Sequence, residues 1–477
     1  MSSTVYVRRE VGSLVASDPT LAAYASAVGV MQSRAASDPT SWAFQAAIHG
    51  TLAANPLSGQ NQCQHATWFF VSWHRMFVYY FERIVRAAVI ESGGPTDWAL
   101  PYWNYELGGP SAAIPAAFRS PTNAGQRNPL YVSQRANGIN AGHALPPQVT
   151  SSVHALSRSV FIGAAEFGGG RTGVLFQHFQ GPTGQLEATP HNAVHGTVGG
   201  TTGWMNDPDQ AAQDPIFWLH HANIDRLWAL WARHGHADPS EAQWTQQSFS
   251  FFDEHGQAVS ITAAHVLDTV ADLSYTYDQF VGSPPPPKPS SAAPAGVPPS
   301  RLAAQMSSSL QHEPELVGAL STPVELTGDT AQASIELDPR AAAAALQAHP
   351  ESGAPRVLLE IQNIDAEEIP GTVYGVYVNL PPDATSQQQD AHHVGTLSFF
   401  GVKRAQDPRG DEQAHGLSLT YEITELVASE RAAGEWNDSS LTLTFQPLRL
   451  IPPEGELPVV SEPDPPASIG SISVYYA

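Results

Sequence analysis

The chain has 477 residues, with 45 acidic against 22 basic side chains and a formal charge of −23. Such a charge repels nucleic-acid phosphates and anionic lipid, which argues against both as partners. Hydrophobic residues make up 42% of the chain and no uncharged apolar run is long enough to cross a bilayer, so two globular domains without a membrane helix are expected.

The single cysteine, Cys63, excludes an intrachain disulfide. Met1 to Glu10 lack the apolar stretch of a secretory leader, which leaves a cytoplasmic chain, a processed one, or export with a partner all open.

From residue 1 to about 280 the chain is rich in Trp, Phe and His. A helix is expected over Pro39–Ile48, capped by Asp38 and closed at Gly50, with His49 at its end. A second, apolar almost all round, is expected over Thr67–Val89 and carries His74. Nine residues separate His65 from His74, two and a half helical turns, so His65 has to enter from the preceding loop, beside Cys63. Three backbone segments then converge. Three histidines in so apolar a setting would be costly unless one shared partner satisfied them.

A second cluster follows. Pro190-His191-Asn192-Ala193-Val194-His195 sets two imidazoles one helical turn apart, where both can face one ion. Asp214-Pro215 opens a further helix that runs to Gly235 and carries His220 and His221, about 100° apart, of which one faces the metal. Asp225, one turn after His221, either steadies that imidazole or pairs with Arg226 or Arg233. Imidazole sites without thiolate or carboxylate clusters suit copper and disfavour iron–sulfur, calcium and magnesium. Two such sites imply a dinuclear centre.

Residues 283–300, rich in Pro, Ser and Ala, read as an extended linker. The expected division is 1–281, a linker at 282–304, and 305–477. A short segment is expected around Leu302 to Leu310, and Ala341 to Leu346 is a helical turn or a connection. Strand patterns at 357–361, 373–380, 395–401, 417–423 and 441–445 suggest a β-sandwich.

The motifs resemble those of the type-3 copper family: tyrosinases, catechol oxidases and molluscan haemocyanins. His65-x8-His74-Arg75 with Phe81-Glu82 is similar to the first copper signature, and Asp214 to Asp225 to the second. The resemblance implies a mainly α catalytic domain, a four-helix-bundle core around two copper ions, followed by a β-sandwich. It implies His49, His65, His74, His191, His195 and His221 as metal ligands, choosing His221 over His220. Cys63-x-His65 resembles the family's thioether, cysteine sulfur bonded to the middle histidine. Glu187 resembles the family's carboxylate that orients a water near the second copper, and Asn192 its partner; by chemistry alone such a pair could accept a phenolic proton, and the alternative for Glu187 is to cap the start of the Pro190 helix. Tyr275-x-Tyr277 resembles the motif that closes the domain, with Arg8 or Arg9 packed on it.

The implied function is a tyrosinase-like polyphenol oxidase: O2 as co-substrate, ortho-hydroxylation of monophenols, and oxidation of o-diphenols to o-quinones. Phenolic small molecules are the expected partners, and the oligomeric state is open. A catechol or o-aminophenol oxidase is the second reading and a haemocyanin-like oxygen carrier the third. Tyr374 to Asn379 and His393 to Gly401 resemble the C-terminal domain of plant polyphenol oxidases and the haemocyanin β-domain. In those relatives the domain often covers the pocket and inserts a side chain, so that the latent form awaits proteolysis or a detergent-like trigger. Phe399 and Phe400 are candidates for that plug, or else members of the sandwich core. Phe69, Phe217 and Trp218 are expected as apolar pocket walls, or as core.

Overall fold

The computed structural model describes residues 4–15, 18–174, 179, 181–281, 314–348, 355–406, 416–459 and 463–477. The expected linker at 282–304 and the segment around Leu302 to Leu310 lie outside them.

The first part is helical. Helix α1 (Pro19–Ser33) packs on α3 (Phe70–Glu91), which packs on α5 (Pro215–Arg233); between them in sequence come α2 (Trp42–His49) and α4 (Ala193–Gly199). The caps explain where the helices begin. Asp214 accepts from Ile216 N and sets Pro215 at the first helical position, as expected. For α2 the cap is Ser41, which accepts from Phe44 N, not Asp38. Asp38 is occupied by the N–H and hydroxyl of Thr40, so the helix opens later than its sequence pattern suggests. The Pro190 segment is set off from the turn before it by a kink at Thr189, whose backbone is extended at φ −146° and ψ 123°; Glu187–Asn192 make a π-type turn interrupted by that kink before α4 begins.

Helix α3 buries residues on every side, as a helix inside a core must. Its Phe81 ring stacks on Trp218 of α5 at 3.3 Å and 6°. One turn of charge closes the bottom of this pair. Asp225 of α5 accepts from Arg8 at 2.9 Å and Tyr277 at 2.5 Å, and it also binds Arg75 and Tyr275. Arg8 reaches it from β1 (Tyr6–Arg8), which pairs in parallel with β2 (Tyr275–Tyr277), and its guanidinium lies 3.7 Å over the Tyr275 ring. Arg8, not Arg9, is therefore the arginine on the tyrosine motif; Arg9 pairs with Asp18 at 2.6 Å.

The region from residue 314 onward is rich in sheet. Strands β3 (Glu315–Leu320), β4 (Val324–Leu326) and β5 (Ala331–Glu336) precede helix α6 (Pro339–Ala348). After them come β6 (Val357–Ala366), β7 (Val373–Val378), β8 (His393–Leu397), β9 (Leu417–Glu422), β10 (Ser440–Leu448) and β11 (Ala467–Tyr476). They form two antiparallel sheets: β9-β6-β11-β3, with β4 also on β11, and β8-β7-β10-β5. Alternate residues of β9 and of the first half of β6 are buried, the period of a half-covered strand. Strand β7 is buried at all six positions. One of its faces meets the helical part, where Val373 lies so close to Gly196 that a β-carbon there would fall 2.9 Å from it and 2.6 Å from Ser398 Oγ.

That contact belongs to a broad interface. Ser398 donates to the carbonyl of Asn192 at 2.8 Å, Thr189 and Thr396 hydroxyls are 2.6 Å apart, and Gln185 donates to Thr420 O at 3.0 Å. Arg356 of the sheet region bridges Glu166 and Glu422, each at 2.7 Å, and Arg158 of the helical region binds Glu422 in return.

Candidate metal centre

The six expected histidines meet at one place. His49 comes from the last residue of α2, His65 from the loop before α3, His74 from α3, His191 from the π-type turn, His195 from α4 and His221 from α5. All six are at most 2% exposed. In the first set the ring centres of His49, His65 and His74 lie 5.0–5.6 Å apart. In the second, His191, His195 and His221 lie 4.5–5.5 Å apart. The sets adjoin, for His74 stacks on His221 at 4.5 Å and 15°. Ligand atoms of His49, His74 and His221, and of His65, His74 and His191, fall within 4.8 Å of one another.

The backbone aims these rings. Nδ1 of His49 is held by Pro208 O at 2.9 Å, that of His74 by Phe70 O at 2.8 Å and that of His195 by Met205 O at 2.6 Å. Asn192 Oδ1 holds Nδ1 of His191 at 2.8 Å. With Nδ1 donating, Nε2 keeps its lone pair, the form a metal requires. Among the described residues Nε2 of His49 and of His191 is buried without a hydrogen-bond partner, a cost that a bound cation removes. Burial pushes His49 down to about 3 and holds His191, His195 and His221 well below the ordinary histidine value, so the rings are neutral. The donor set and its orphaned nitrogens fit two borderline-soft ions such as copper.

His220, beside His221, also points inward: its Nδ1 is 3.3 Å from Tyr105 OH, and its ligand atom joins those of His191, His195 and His221 within 4.8 Å. Spacing alone did not separate the two residues; contact with His74 distinguishes His221. Cys63 is fully buried, and its sulfur lies within 4.8 Å of ligand atoms of His49 and His65.

Asp225 does not steady His221, nor does it pair with Arg226 or Arg233. Its carboxylate is consumed by Arg8, Arg75 and the two tyrosines. Glu187 is buried, and both its carboxylate oxygens accept from the N–H of Ala66, at 2.8 and 3.0 Å, so it ties the second segment to the residue after His65 rather than capping a helix. Burial pushes its carboxyl up to about 8, against the pull of that N–H.

Of the expected walls only Phe217 touches the centre, 4.2 Å from His221; Phe69 packs on Trp68 and Phe249, and Trp218 on Phe81. Three further aromatic rings line it. Phe70, one turn before His74, is 4.7 Å from His191, and Phe179 stacks on His65 at 4.5 Å and 8°. Phe400 enters from the sheet region, stacks on His195 at 4.1 Å and 19°, and also lies 5.7 Å from His65 and 5.6 Å from His191. Phe399 turns the other way, onto Tyr374. The i,i+4 spacing from His74 could have pointed to Phe70; nothing in the sequence marks Phe179.

Residues 39–141 and 116–234 match the common central domain of tyrosinase, 238–284 the polyphenol oxidase middle domain, and 313–477 a domain of unknown function. A tyrosinase of Hahella sp. (strain CCB-MM4) is 32% identical over 90% of this chain and 93% of its own length. The latent polyphenol oxidase of Prunus armeniaca is 29% identical, over 55% of this chain and about half (47%) of its own. Among solved structures, latent apple tyrosinase has the same fold, with a TM-score of 0.64 at 20% identity, covering 100% of this chain and 98% of that one. With a relative matched along nearly its whole length and a histidine centre of the right composition, the chain belongs to the tyrosinase and polyphenol oxidase family of type-3 copper proteins.

Proposed function

We propose that this copper oxidoreductase oxidises phenols with O2, hydroxylating monophenols at the ortho carbon and converting o-diphenols to o-quinones, and that the uncut chain is latent. The observation that carries the reading is the joint placement of six neutral imidazoles around one buried point, with Phe400 lying over it. We read α2, α3, α4 and α5 as the bundle that holds the metals: His49, His65 and His74 for one copper, His191, His195 and His221 for the other. When bound, the two ions supply the redox chemistry on O2.

The chain's own residues do the rest. Phe70, Phe179 and Phe217 form apolar walls that hold a ring and keep water out. Glu187 is the candidate acceptor for the phenolic proton. Asn192 fixes the tautomer of His191, so its amide acts on a ligand rather than directly on substrate. Phe400 occupies the place where a substrate ring would stack on His195, and Ser398, Thr396 and Arg404 fasten the segment that carries it. The sequence stretch 283–300, inside the expected linker, is the proposed cleavage region.

The test is a panel of tyramine, catechol and 2-aminophenol given to the copper-loaded chain before and after limited proteolysis near 283–300. Oxidation that rises on cutting supports the reading. About one copper or fewer per chain after reconstitution rejects the dinuclear centre, and turnover of catechol but not tyramine leaves a catechol oxidase. Reversible O2 release without phenol oxidation, cut or uncut, points to a carrier.

A further inference from the structure

The segment that covers the histidines presents two chemical groups. Phe400 lays its ring on His195, and Arg404, four residues later, carries a guanidinium to Asn61 and to Asp209, the residue after the Pro208 that holds His49. Gly401 stands between them at φ 87°, a left-handed turn that opens the single helical turn Val402–Ala405. Arg404 donates to Asn61 Oδ1 at 3.0 Å and pairs with the carboxylate of Asp209. Both acceptors sit on loops that build the centre. Asn61 lies two residues before Cys63, with its N–H on Ala47 O, and Asp209 follows Pro208, whose carbonyl aims His49. The Arg404 and Asp209 side chains are only 12% and 13% exposed, so this ion pair is largely out of solvent. Removing the guanidinium would leave a half-desolvated carboxylate beside an amide oxygen, an arrangement that favours another cation.

An aromatic ring joined to a cation is the outline of an aromatic amine. We propose that Asp209 and Asn61 form a cation subsite at the mouth of the pocket, filled by Arg404 in the closed chain and by the positive side chain of a cationic phenol once the segment withdraws. The proposal rests on the phenol-oxidase reading and names its substrate class: phenols carrying an ammonium or guanidinium are preferred over neutral ones, and phenols carrying a carboxylate are disfavoured. The chain's charge of −23 draws ligands of the same sign as Arg404.

The test uses the copper-loaded full chain with Phe400→Ala and Arg404→Ala together, which vacates both places while the sheet region stays attached. Binding of 2-phenylethylamine, 2-phenylethanol and 3-phenylpropionate is measured by calorimetry at low salt. The amine is expected to bind at least about tenfold more tightly than the alcohol, with the carboxylate weakest, and adding Asp209→Asn should bring the amine-to-alcohol ratio to about one. A ratio near one with Asp209 intact, or a preference that survives Asp209→Asn, overturns the subsite. A Phe-Gly-Val-Lys-Arg peptide run beside the amine shows whether a peptide or a free amine is the better occupant. None of these probes is a phenol, so their binding is independent of turnover. A failed preference leaves the oxidase reading standing, and a chain that binds the amine yet oxidises no phenol sinks the oxidase reading alone. Should the double variant not fold, Arg404→Gln serves: guanidinium chloride at low millimolar concentration should restore its thermal midpoint, and no such recovery should follow when Asp209→Asn is added. Absence of recovery with Asp209 intact overturns the proposal.

Discussion

The ring of Phe400 lies 4.1 Å from the imidazole of His195 and 19° from parallel with it. Two rings so placed leave no layer for a third, so substrate and Phe400 compete for one position. Phe400→Gly in the uncut chain is therefore expected to raise phenol oxidation by about tenfold or more, and the advantage over wild type should vanish once both are cut. Equal rates in the uncut chains would remove Phe400 from the account of latency.

Acid should loosen the cover. Burial pushes the Glu422 carboxyl up, but the hydrogen bond from Arg356 and the charges of Arg356 and Arg158 prevail and hold it below the ordinary 4.5. Arg356 shares the sheet region with Glu422, so only the Arg158 charge acts across the interface; that part of the depression adds docking stability that is present above 4.5 and is lost as pH falls through the lowered value. Glu166 opposes this in part, since burial raises it. Uncut activity, normalised to cut activity at each pH to cancel effects on the chemistry, should climb below pH 4.5. Glu422→Gln should raise the neutral-pH ratio and flatten the climb, consistent with roughly 1 kcal/mol for a partly exposed ion pair.

His221→Ala should leave about one copper per chain by metal analysis and abolish turnover, whereas His220→Gln should keep both ions. Two ions held by the His221 variant would mean that His220 or another neighbour takes its place.

Cys63 and His65 should become covalently joined. After reconstitution with copper in air, the intact mass is expected to fall by two hydrogens relative to the metal-free chain, and Cys63→Ser should show no such loss. An unchanged mass, with both coppers bound, would leave the sulfur as a small buried packing group.

Asp225→Asn should cost about 3–5 kcal/mol of stability, because it leaves two buried guanidiniums facing a neutral amide. Urea unfolding of the metal-free protein measures this without interference from ligation. A loss below about 1 kcal/mol would show that Glu82, which also binds Arg8 and Arg86, carries the charge balance alone.

The histidines were legible because their constraint is local. The i,i+4 pair at His191 and His195 and the broken phase between His65 and His74 follow from helical geometry. Choosing His221 over His220 needed the family signature, since a 100° step on a buried helix leaves both inside. The role of Asp225 is not legible locally, because its partners Arg8 and Tyr277 lie far away in sequence, on paired strands no local pattern announces. The strands at 315–320, 324–326, 331–336 and 467–476 carry weak local signals, being short or interrupted by Ser and Gly. The same distance rule hid Arg404, whose partners Asn61 and Asp209 belong to the other region of the chain.

Thr396, Ser398, Phe400 and Arg404 make the fastenings nearest the metal centre, and they fall within nine consecutive residues. The seal thus behaves as a cork with a stem: a pull on strand β8 draws hydroxyls, ring and guanidinium out together. Access to the centre should switch between shut and open without stable half-measures.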